Sequence, residues 1–277
     1  MRRKKRLIFS ILLAIMVCAG AYFLNAFFGN PVSRALAKRT AERYIEENYP
    51  GFHIENLGFD LKTTGYYAHA VLPESADSSF SLHLDMVGNI KYDTYESRVL
   101  QRGNTADRLN TEYGELVDRV LADPSLPYAV DIGFGELLFW YDREADAVKE
   151  YSCSVPMSQL ELDKQYDVSA LGAEAGRLVV YIADEDVSLP RLTEILTDLT
   201  RRFDAEGIAF YMIDLILEYP RPTDDAPWRE GRVEVKDFLY SDIEGEGLID
   251  RVTASNEAAV AYYAEQDALK ETEEPIN

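Results

Sequence analysis

Hydrophobic positions are spaced in three different ways along this chain. Residues 7–28 are almost continuously apolar, residues 30–124 switch from helical spacing to alternation and back, and residues 125–267 repeat such switches in another order. A spacing of about 3.6 residues indicates an amphipathic helix, and a spacing of two indicates a half-buried strand. The pattern predicts an α+β protein: an N-terminal transmembrane helix, a helix–antiparallel meander–helix unit, and a second antiparallel-sheet unit.

The apolar run Leu7–Phe28 has the length and composition of a transmembrane helix. Its 22 residues carry no charge, and at about 1.5 Å per residue such a helix crosses a hydrocarbon core of about 30 Å. Five of the 28 Lys and Arg stand directly before it, in residues 2–6. Since such a cluster stays in the cytoplasm, we expect a single-pass cell-membrane protein with residues 1–29 as tail and anchor and extracytoplasmic domains after them.

Two other fates of the N-terminus compete with a spanning helix. Residues 19–21, with the sequence AGA, form a signal-peptidase motif, so cleavage after Ala21 stays open. Lipidation of Cys18 is disfavoured, because Val17 stands where a lipoprotein signal needs a small residue. The apolar run continues to Phe28, which favours the uncleaved helix.

A helix is expected immediately after the anchor. Asn30 can cap its first amides, Pro31 suits the first helical position, and Pro50 follows its expected end at Asn48. Its apolar stripe consists of Ala37, Ala41, Tyr44 and Ile45.

A meander and a second helix complete the first predicted unit, residues 30–124. Strict alternation over Phe80–Met86, with turn signals between short apolar runs, predicts four sequential antiparallel strands within residues 52–95. Helical spacing then predicts a helix over Thr105–Ala122, which Pro124 stops.

The second predicted unit, residues 125–267, begins with strands and continues in a βαββα order. Its first three strands are expected at Tyr128–Ile132, Glu136–Tyr141 and Glu150–Val155, before a polar, turn-rich interval that reaches Gly176. The βαββα part consists of strand Arg177–Ala183, a helix from Ser188 to Gly207, strands Ile208–Tyr219 and Arg232–Tyr240, and helix Leu248–Ala264. Residues 268–277 are expected to form an acidic disordered tail.

Composition excludes one class of partner and one source of stability. Without the five leading cations, 23 basic residues face 49 acidic ones, and binding to a phosphate backbone needs clustered Lys and Arg. We therefore expect no nucleic-acid partner, and the acidic surface is explained by solubility. Cys153 is the only cysteine after the apolar run, so no disulfide can form within the body; its strand-like surroundings indicate a buried, unreactive thiol.

The three histidines, His53, His69 and His83, all lie in the predicted meander. They lack the spacing of a zinc site. His83 shares a strand face with Asp85, and His69 could reach it from the neighbouring strand, so a metal site is the less favoured alternative to solvated side chains. Residues 184–186, with the sequence DED, lack the glycine and distal glutamate of an EF-hand loop and are typical of a helix start.

Asp214 is the most unusual carboxylate, since it lies midway along the most apolar predicted strand. A buried carboxylate is either paired with a cation such as Arg or functional. Pairing is favoured, and Asp237 would favour catalysis only if the two carboxylates lie close together. Nucleophile and phosphate-loop motifs are missing. The sequence therefore assigns no catalytic, cofactor-binding or metal residue and no cofactor.

Four short motifs lie in the region after the apolar run: Gly29-Asn30-Pro31-Val32-Ser33, Ala41-x-x-Tyr44-x-x-x-x-Tyr49-Pro50, Phe59-Asp60-Leu61-Lys62 and Tyr66-Tyr67. They resemble those of the YfjL-like family, membrane-anchored proteins of Gram-positive bacteria. The resemblance implies a membrane-anchored, two-part architecture and carries over no catalytic residue.

The favoured function is a non-enzymatic envelope module that binds a peptide, a protein or a wall component. A sheet face or the proline-rich segment Pro220–Gly231 would supply its binding surface. One alternative is an envelope hydrolase that uses Asp214 and Asp237. The other is an accessory subunit or sensor of a membrane complex.

Overall fold

The computed structural model describes residues 16, 30–141, 153–220 and 231–272. Within these ranges no helix is both long enough and apolar enough to cross a bilayer. The predicted anchor Leu7–Phe28 lies outside them except for Met16, so the anchor stays a prediction. The chain divides into two compact units: unit 1 reaches Thr105 and includes Glu161–Asp163, and unit 2 contains the rest.

Unit 1 contains the predicted helix and the predicted meander. Asn30 caps the helix, since its side chain accepts hydrogen bonds from the amides of Val32 and Ser33. The elements are α1 (Pro31–Asn48), β1 (His53–Asp60), β2 (Gly65–Val71), β3 (Ser79–Leu84) and β4 (Ile90–Asp93). The strands are antiparallel in the sheet order β1-β2-β3-β4, as the turn signals predicted.

The core of unit 1 lies between α1 and one face of this sheet. Ala37 and Ala41 are fully buried with Ala68 and Leu82, and such small side chains let a helix approach a sheet closely. A second cluster is aromatic: Phe80 lies 4.7 Å from Tyr49, measured between ring centroids. Because one face is covered in this way, the alternate residues of β2 and β3 are directed to the other face.

A pair of aspartates attaches a distant segment to unit 1. Asp77 is fully buried, and its Oδ2 accepts hydrogen bonds from the Thr105 hydroxyl at 3.0 Å and the Asp163 amide at 2.8 Å. The Asp77 amide in turn donates to Oδ1 of Asp163 at 3.1 Å. These bonds explain why Glu161–Asp163 belong to unit 1.

Unit 2 is built on a four-stranded sheet in the order β10-β9-β8-β5. The strands of this sheet are β5 (Ala129–Leu137), β8 (Gly176–Ala183), β9 (Met212–Glu218) and β10 (Arg232–Leu239). Two short strands, β6 (Phe139–Trp140) and β7 (Val155–Pro156), pair separately with each other. The helices of unit 2 are α2 (Gly103–Leu121), α3 (Val168–Ala175), α4 (Leu189–Ala205) and α5 (Leu248–Thr272). The first residues of α2 still belong to unit 1. The predicted βαββα order is that of β8, α4, β9, β10 and α5.

The sheet of unit 2 is mixed, which corrects the expectation of an antiparallel sheet. β8 pairs parallel with β9, and the other two pairings are antiparallel. The reason is the helix α4 between β8 and β9, since a helical crossover returns the chain to the same end of a sheet and makes the two strands parallel. The fold class, α+β with antiparallel strand pairing and several helices, is confirmed.

Glycines explain one difference between the predicted and observed strands. The expected strands Tyr128–Ile132 and Glu136–Tyr141 are mainly one strand, β5. A Cβ atom on Gly133 would lie 2.6 Å from Leu121, and one on Gly135 would lie 2.4 Å from Val117. Both glycines therefore allow side chains of α2 to approach the strand and do not form a turn.

Two helices also differ from the prediction. The short helix α3, capped by the Asp167 side chain, lies in the interval that was expected to be turn-rich. The last helix, α5, extends past its expected end at Ala264 to Thr272, so residues 268–272 of the expected tail are helical. The predicted strand Glu150–Val155 falls partly outside the described residues.

The buried stripe of α2 packs in the core of unit 2. Ala106, Leu109, Tyr113 and Val117 join the same cluster as Leu178 of β8. The two compact units consequently divide at Thr105, one helix earlier than the boundary at residue 124 that was expected from the sequence.

A glycine in α3 provides a test of this packing. A Cβ atom at Gly172 would lie 2.2 Å from the backbone oxygen of Ala209 and 2.7 Å from the Tyr113 ring. We predict that Gly172→Ala lowers the free energy of unfolding by about 1–3 kcal/mol, because the added methyl group overpacks a tight contact. Urea denaturation of the protein measures this change.

The matched control is Gly114→Ala in α2. A Cβ atom there would lie 3.6 Å from its nearest neighbour, an ordinary contact. Alanine favours the helix, so the free energy of unfolding should stay the same or rise by up to about 1 kcal/mol. Equal losses in both variants would contradict the packing described for α3.

Candidate binding groove on the meander

A groove of about 300 Å³ lies on the side of the meander opposite α1. The sheet, the segment after it and the start of α2 all contribute to its lining. The lining residues are His69, Ser79, Phe80, Ser81, His83, Thr94, Arg98 and Asn104.

Strand alternation places the groove's histidines. Ala68 and Leu82 are fully buried towards α1, so His69 and Ser81, their neighbours in sequence, are directed to the other face. His69 and Ser81 are also directly paired between β2 and β3. His83 lies further along β3, and its ring stacks on Tyr92 at 4.4 Å between centroids.

Hydrogen bonds from Asn104 and Thr94 fix the wall of the groove. Arg98 donates from Nε to Oδ1 of Asn104 at 2.8 Å. The side-chain nitrogen Nδ2 of Asn104 donates to the backbone oxygens of Asp77 at 2.8 Å and Ser79 at 2.7 Å. Thr94 accepts from the amide of Ser81 at 2.9 Å. The guanidinium group of Arg98 is therefore held against the sheet before any ligand binds.

The groove differs in charge from the chain as a whole. None of its lining residues is acidic, although the chain has a net charge of −21. It contains one arginine and two histidines, and in the described part of the chain no hydrogen bond engages the ring of His69 or His83. The pKa of Asp60 is lowered mainly by the hydrogen bond from the Thr63 hydroxyl, and the charge of nearby His83 makes a smaller contribution. Such a groove suits an anionic group.

The structure separates the residues of the alternative metal site. His69 and His83 line the groove together, but Asp85 belongs to a turn, where Oδ1 accepts from the amides of Val87 and Asn89. These bonds, with that of Asn89 first, hold the pKa of Asp85 below its usual value. Among the residues that the structure describes, no cluster of His, Cys, Asp or Glu could hold a metal ion. His53 lines a different depression.

Asp214 is paired with an arginine, as the sequence analysis favoured. It is only 7% exposed, and its Oδ2 forms an ion pair with Arg177 of β8. Its Oδ1 accepts a hydrogen bond of 2.6 Å from the amide of Asp237. Both carboxylate oxygens therefore have protein partners.

Arg177 connects all four strands of the sheet. Besides Asp214 on β9, it contacts Glu136 on β5 at 3.3 Å and Asp237 on β10 at 4.0 Å. Asp237 lies in an irregular part of β10, with a positive φ of 48° that aspartate tolerates better than most residues. We call Glu136, Arg177, Asp214 and Asp237 the arginine cluster.

Asp184, from the acidic run 184–186, also contacts neighbouring protein groups. Asp184 forms an ion pair of 2.9 Å with Arg191 and accepts from the amide of Asp186 just before α4. Ser188 caps that helix. Cys153 is buried in the core of unit 2. Residues 221–230 of the proline-rich segment lie outside the described part of the chain.

Two family models match the chain over most of its length. The model of a YfjL-like N-terminal domain matches residues 4–94, and that of a YfjL-like C-terminal domain matches residues 112–253. The chain belongs to the YfjL-like family. No curated protein and no solved structure matches it significantly.

The two YfjL-like domains correspond to the two compact units. The N-terminal match contains the whole meander, and the C-terminal match contains the arginine cluster. The interval between the matches, residues 95–111, includes the division after Thr105. Arg98 and Asn104 of the groove fall in this interval, so the family matches do not include two of its lining residues.

Sequence reasoning did not identify Arg98, Asn104, Ser79 or Thr94 as site residues. Arg98 lies on a single π-helical turn, Glu96–Leu100, which has no simple hydrophobic period. The available signal was the alternation of β3, which directs Ser79, Ser81 and His83 to one face. From the sequence, a sheet face was expected to bind a ligand, but the residues of this particular face indicated only the alternative metal site.

The cluster makes stability depend on pH through Asp237. Burial and then the charge of Asp214 raise the pKa of this carboxyl, and Arg177 opposes the rise. A raised pKa means that folding favours the protonated form, so its contribution to stability is present at low pH and is lost as the pH rises through the folded-state pKa. Asp237→Asn should therefore increase the free energy of unfolding at neutral pH.

This increase should diminish in acid, where the wild-type carboxyl is protonated. Urea midpoints of wild type and Asp237→Asn, compared at neutral pH and below a pH of about 3.5, measure the difference. The control is Asp131→Asn, an exposed position of the same sheet. A stabilisation by Asp237→Asn that is equal at both pH values would contradict the assigned cause.

Proposed function

We propose that this protein is a non-enzymatic binding module of the cell envelope, held at the membrane by Leu7–Phe28, and that its meander groove takes an anionic group of the ligand. The observation that carries the proposal is the lining of the groove. One arginine, two histidines and several hydroxyl groups surround it without a carboxylate, in a strongly acidic chain.

The chemistry of these groups favours a carboxylate or a phosphate on a peptide or wall component. A guanidinium group and hydroxyl donors form charge-assisted hydrogen bonds with either anion. Because the net charge of the chain repels anions at long range, binding depends on these short-range contacts. Such a site selects a ligand by geometry.

The arginine cluster supports a binding role over a carboxylate-dependent hydrolase. A catalytic base must reach its substrate with an oxygen that can accept a proton. Asp214 is nearly buried, and both of its oxygens contact protein donors. Asp237 does lie close to Asp214, and burial and then the charge of Asp214 raise the pKa of the Asp237 carboxyl, but both carboxylates contact the same arginine. The arrangement fits strand pairing better than proton transfer.

Titration of the full chain in nanodiscs with inorganic phosphate and with acetate tests the groove. At a pH of about 5.5, where free imidazole groups are mostly charged, calorimetry should detect binding of at least one anion by wild type. His69→Gln or His83→Gln should then weaken this binding at least about fivefold, as loss of a charge-assisted bond does. His53→Gln is the matched control, since His53 lies in the same unit outside the groove. The proposal fails if neither anion binds, or if all three variants bind alike.

The anchor makes a separate prediction. Deletion of residues 1–29 should move the protein from the alkali-resistant membrane fraction to the soluble fraction, because the remaining chain lacks a comparable apolar run. Cys18→Ser is the control and should stay in the membrane fraction, since the anchoring is not through a lipid. If expression of the full-length gene instead gives a soluble protein that begins at residue 22, the segment is cleaved and does not anchor the mature protein.

A further inference from the structure

Unit 2 contains a pocket of about 350 Å³ at the end of its sheet where β9 begins and β10 ends. Its lining comes from α3, α4 and the segments next to these strands. The lining residues are Ala173, Asp204, Ala209, Phe210, Tyr211, Leu239, Tyr240 and Ser241. Pockets for drug-sized molecules run from about 300 to 1,000 Å³, so this one lies at the lower end of that range and has room for one long side chain.

The walls of the pocket are aromatic and well supported. Phe210 is 3% exposed and lies edge to face with Tyr240, with 5.1 Å between ring centroids. The backbone amide of Tyr240 donates to the oxygen of Tyr211 at 2.9 Å, and the amide of Tyr211 donates to Gly176 at 2.8 Å. The pocket is therefore formed by the strand pairing itself.

Carboxylates lie at the edge of these walls. The Tyr240 hydroxyl donates to Oδ1 of Asp204 at 3.0 Å. Burial raises the pKa of Tyr240, and the nearby charges of Asp204 and Glu244 add to the rise. Both carboxylates are thus close to the phenol.

The basic residues nearest in sequence have other partners. Arg202 binds Asp198 at 2.7 Å. Arg251 donates to the backbone oxygens of Asp242 at 2.7 Å, Glu246 at 2.8 Å and Glu244 at 3.0 Å. Within the described residues, neither Asp204 nor Glu244 forms a salt bridge. Asp204, the carboxylate that lines the aromatic pocket, therefore has no cation paired with it within the described residues.

We propose that this pocket binds a lysine or arginine side chain of a partner peptide. The aliphatic part of such a side chain packs on Phe210 and Leu239, and its charged end meets Asp204. Aromatic rings attract cations through their electron-rich faces. The net charge of −21 also draws a basic peptide to the protein. This site is independent of the meander groove.

Three blocked tripeptides of sequence Ala-Xaa-Ala test the proposal on the full chain in nanodiscs. With lysine in the centre, the peptide should bind, and its affinity should fall as salt is added. Norleucine keeps the apolar stem without the charge and should bind at least about fivefold more weakly. Glutamate should not bind.

Asp204→Asn and Asp118→Asn form a matched pair of variants. The first removes the charge and keeps an acceptor for the Tyr240 hydroxyl, whereas Asp118 is an exposed acid of α2 outside the pocket. Lysine-peptide affinity should fall at least about fivefold in Asp204→Asn and stay unchanged in Asp118→Asn. Unchanged urea midpoints would show that both variants are folded.

Three outcomes would overturn the assignment. The first is equal binding of the lysine and norleucine peptides. The second is unchanged affinity in a folded Asp204→Asn variant. The third is binding of methylammonium without binding of the lysine peptide, which would indicate a site for small amines.

Discussion

The ion pair between Arg177 and Asp214 is the contact on which the second sheet depends. A carboxylate on a central strand is costly to bury, and a guanidinium group that also has Glu136 and Asp237 within reach compensates that cost. One side chain thereby contacts carboxylates on the other three strands of the sheet. The antiparallel pairing of β9 and β10 places Tyr211 beside Tyr240 at the aromatic pocket.

The two units carry proposed binding surfaces of opposite charge. The groove of unit 1 combines Arg98 with two histidines, whereas the pocket of unit 2 combines aromatic rings with Asp204. A chain with two such sites is suited to connecting ligands of different charge.

Local signals predicted much of the fold, and long-range contacts account for the rest. Asn30, Pro31 and Ser188 act through neighbouring residues, so the starts of α1 and α4 were predictable. The glycines of β5 depend on side chains of α2, which the local pattern does not show. The burial of Asp214 predicted that a cation would pair with it. That this cation is Arg177 depends on the parallel register of β8 and β9, which the sequence does not show. The groove was not predicted, because Arg98 and Asn104 lie after the last strand of the meander and only the folded chain brings them next to its histidines.

A double-mutant cycle on Arg177→Met and Asp214→Leu tests most directly whether these carboxylates are structural. Each single change should lower the free energy of unfolding by about 3–5 kcal/mol, because it leaves the other charge buried without its partner. The double variant, with two apolar side chains, should lose less than the sum by at least about 1 kcal/mol. Additive losses within about 0.5 kcal/mol would contradict the claim that this pair holds the sheet together.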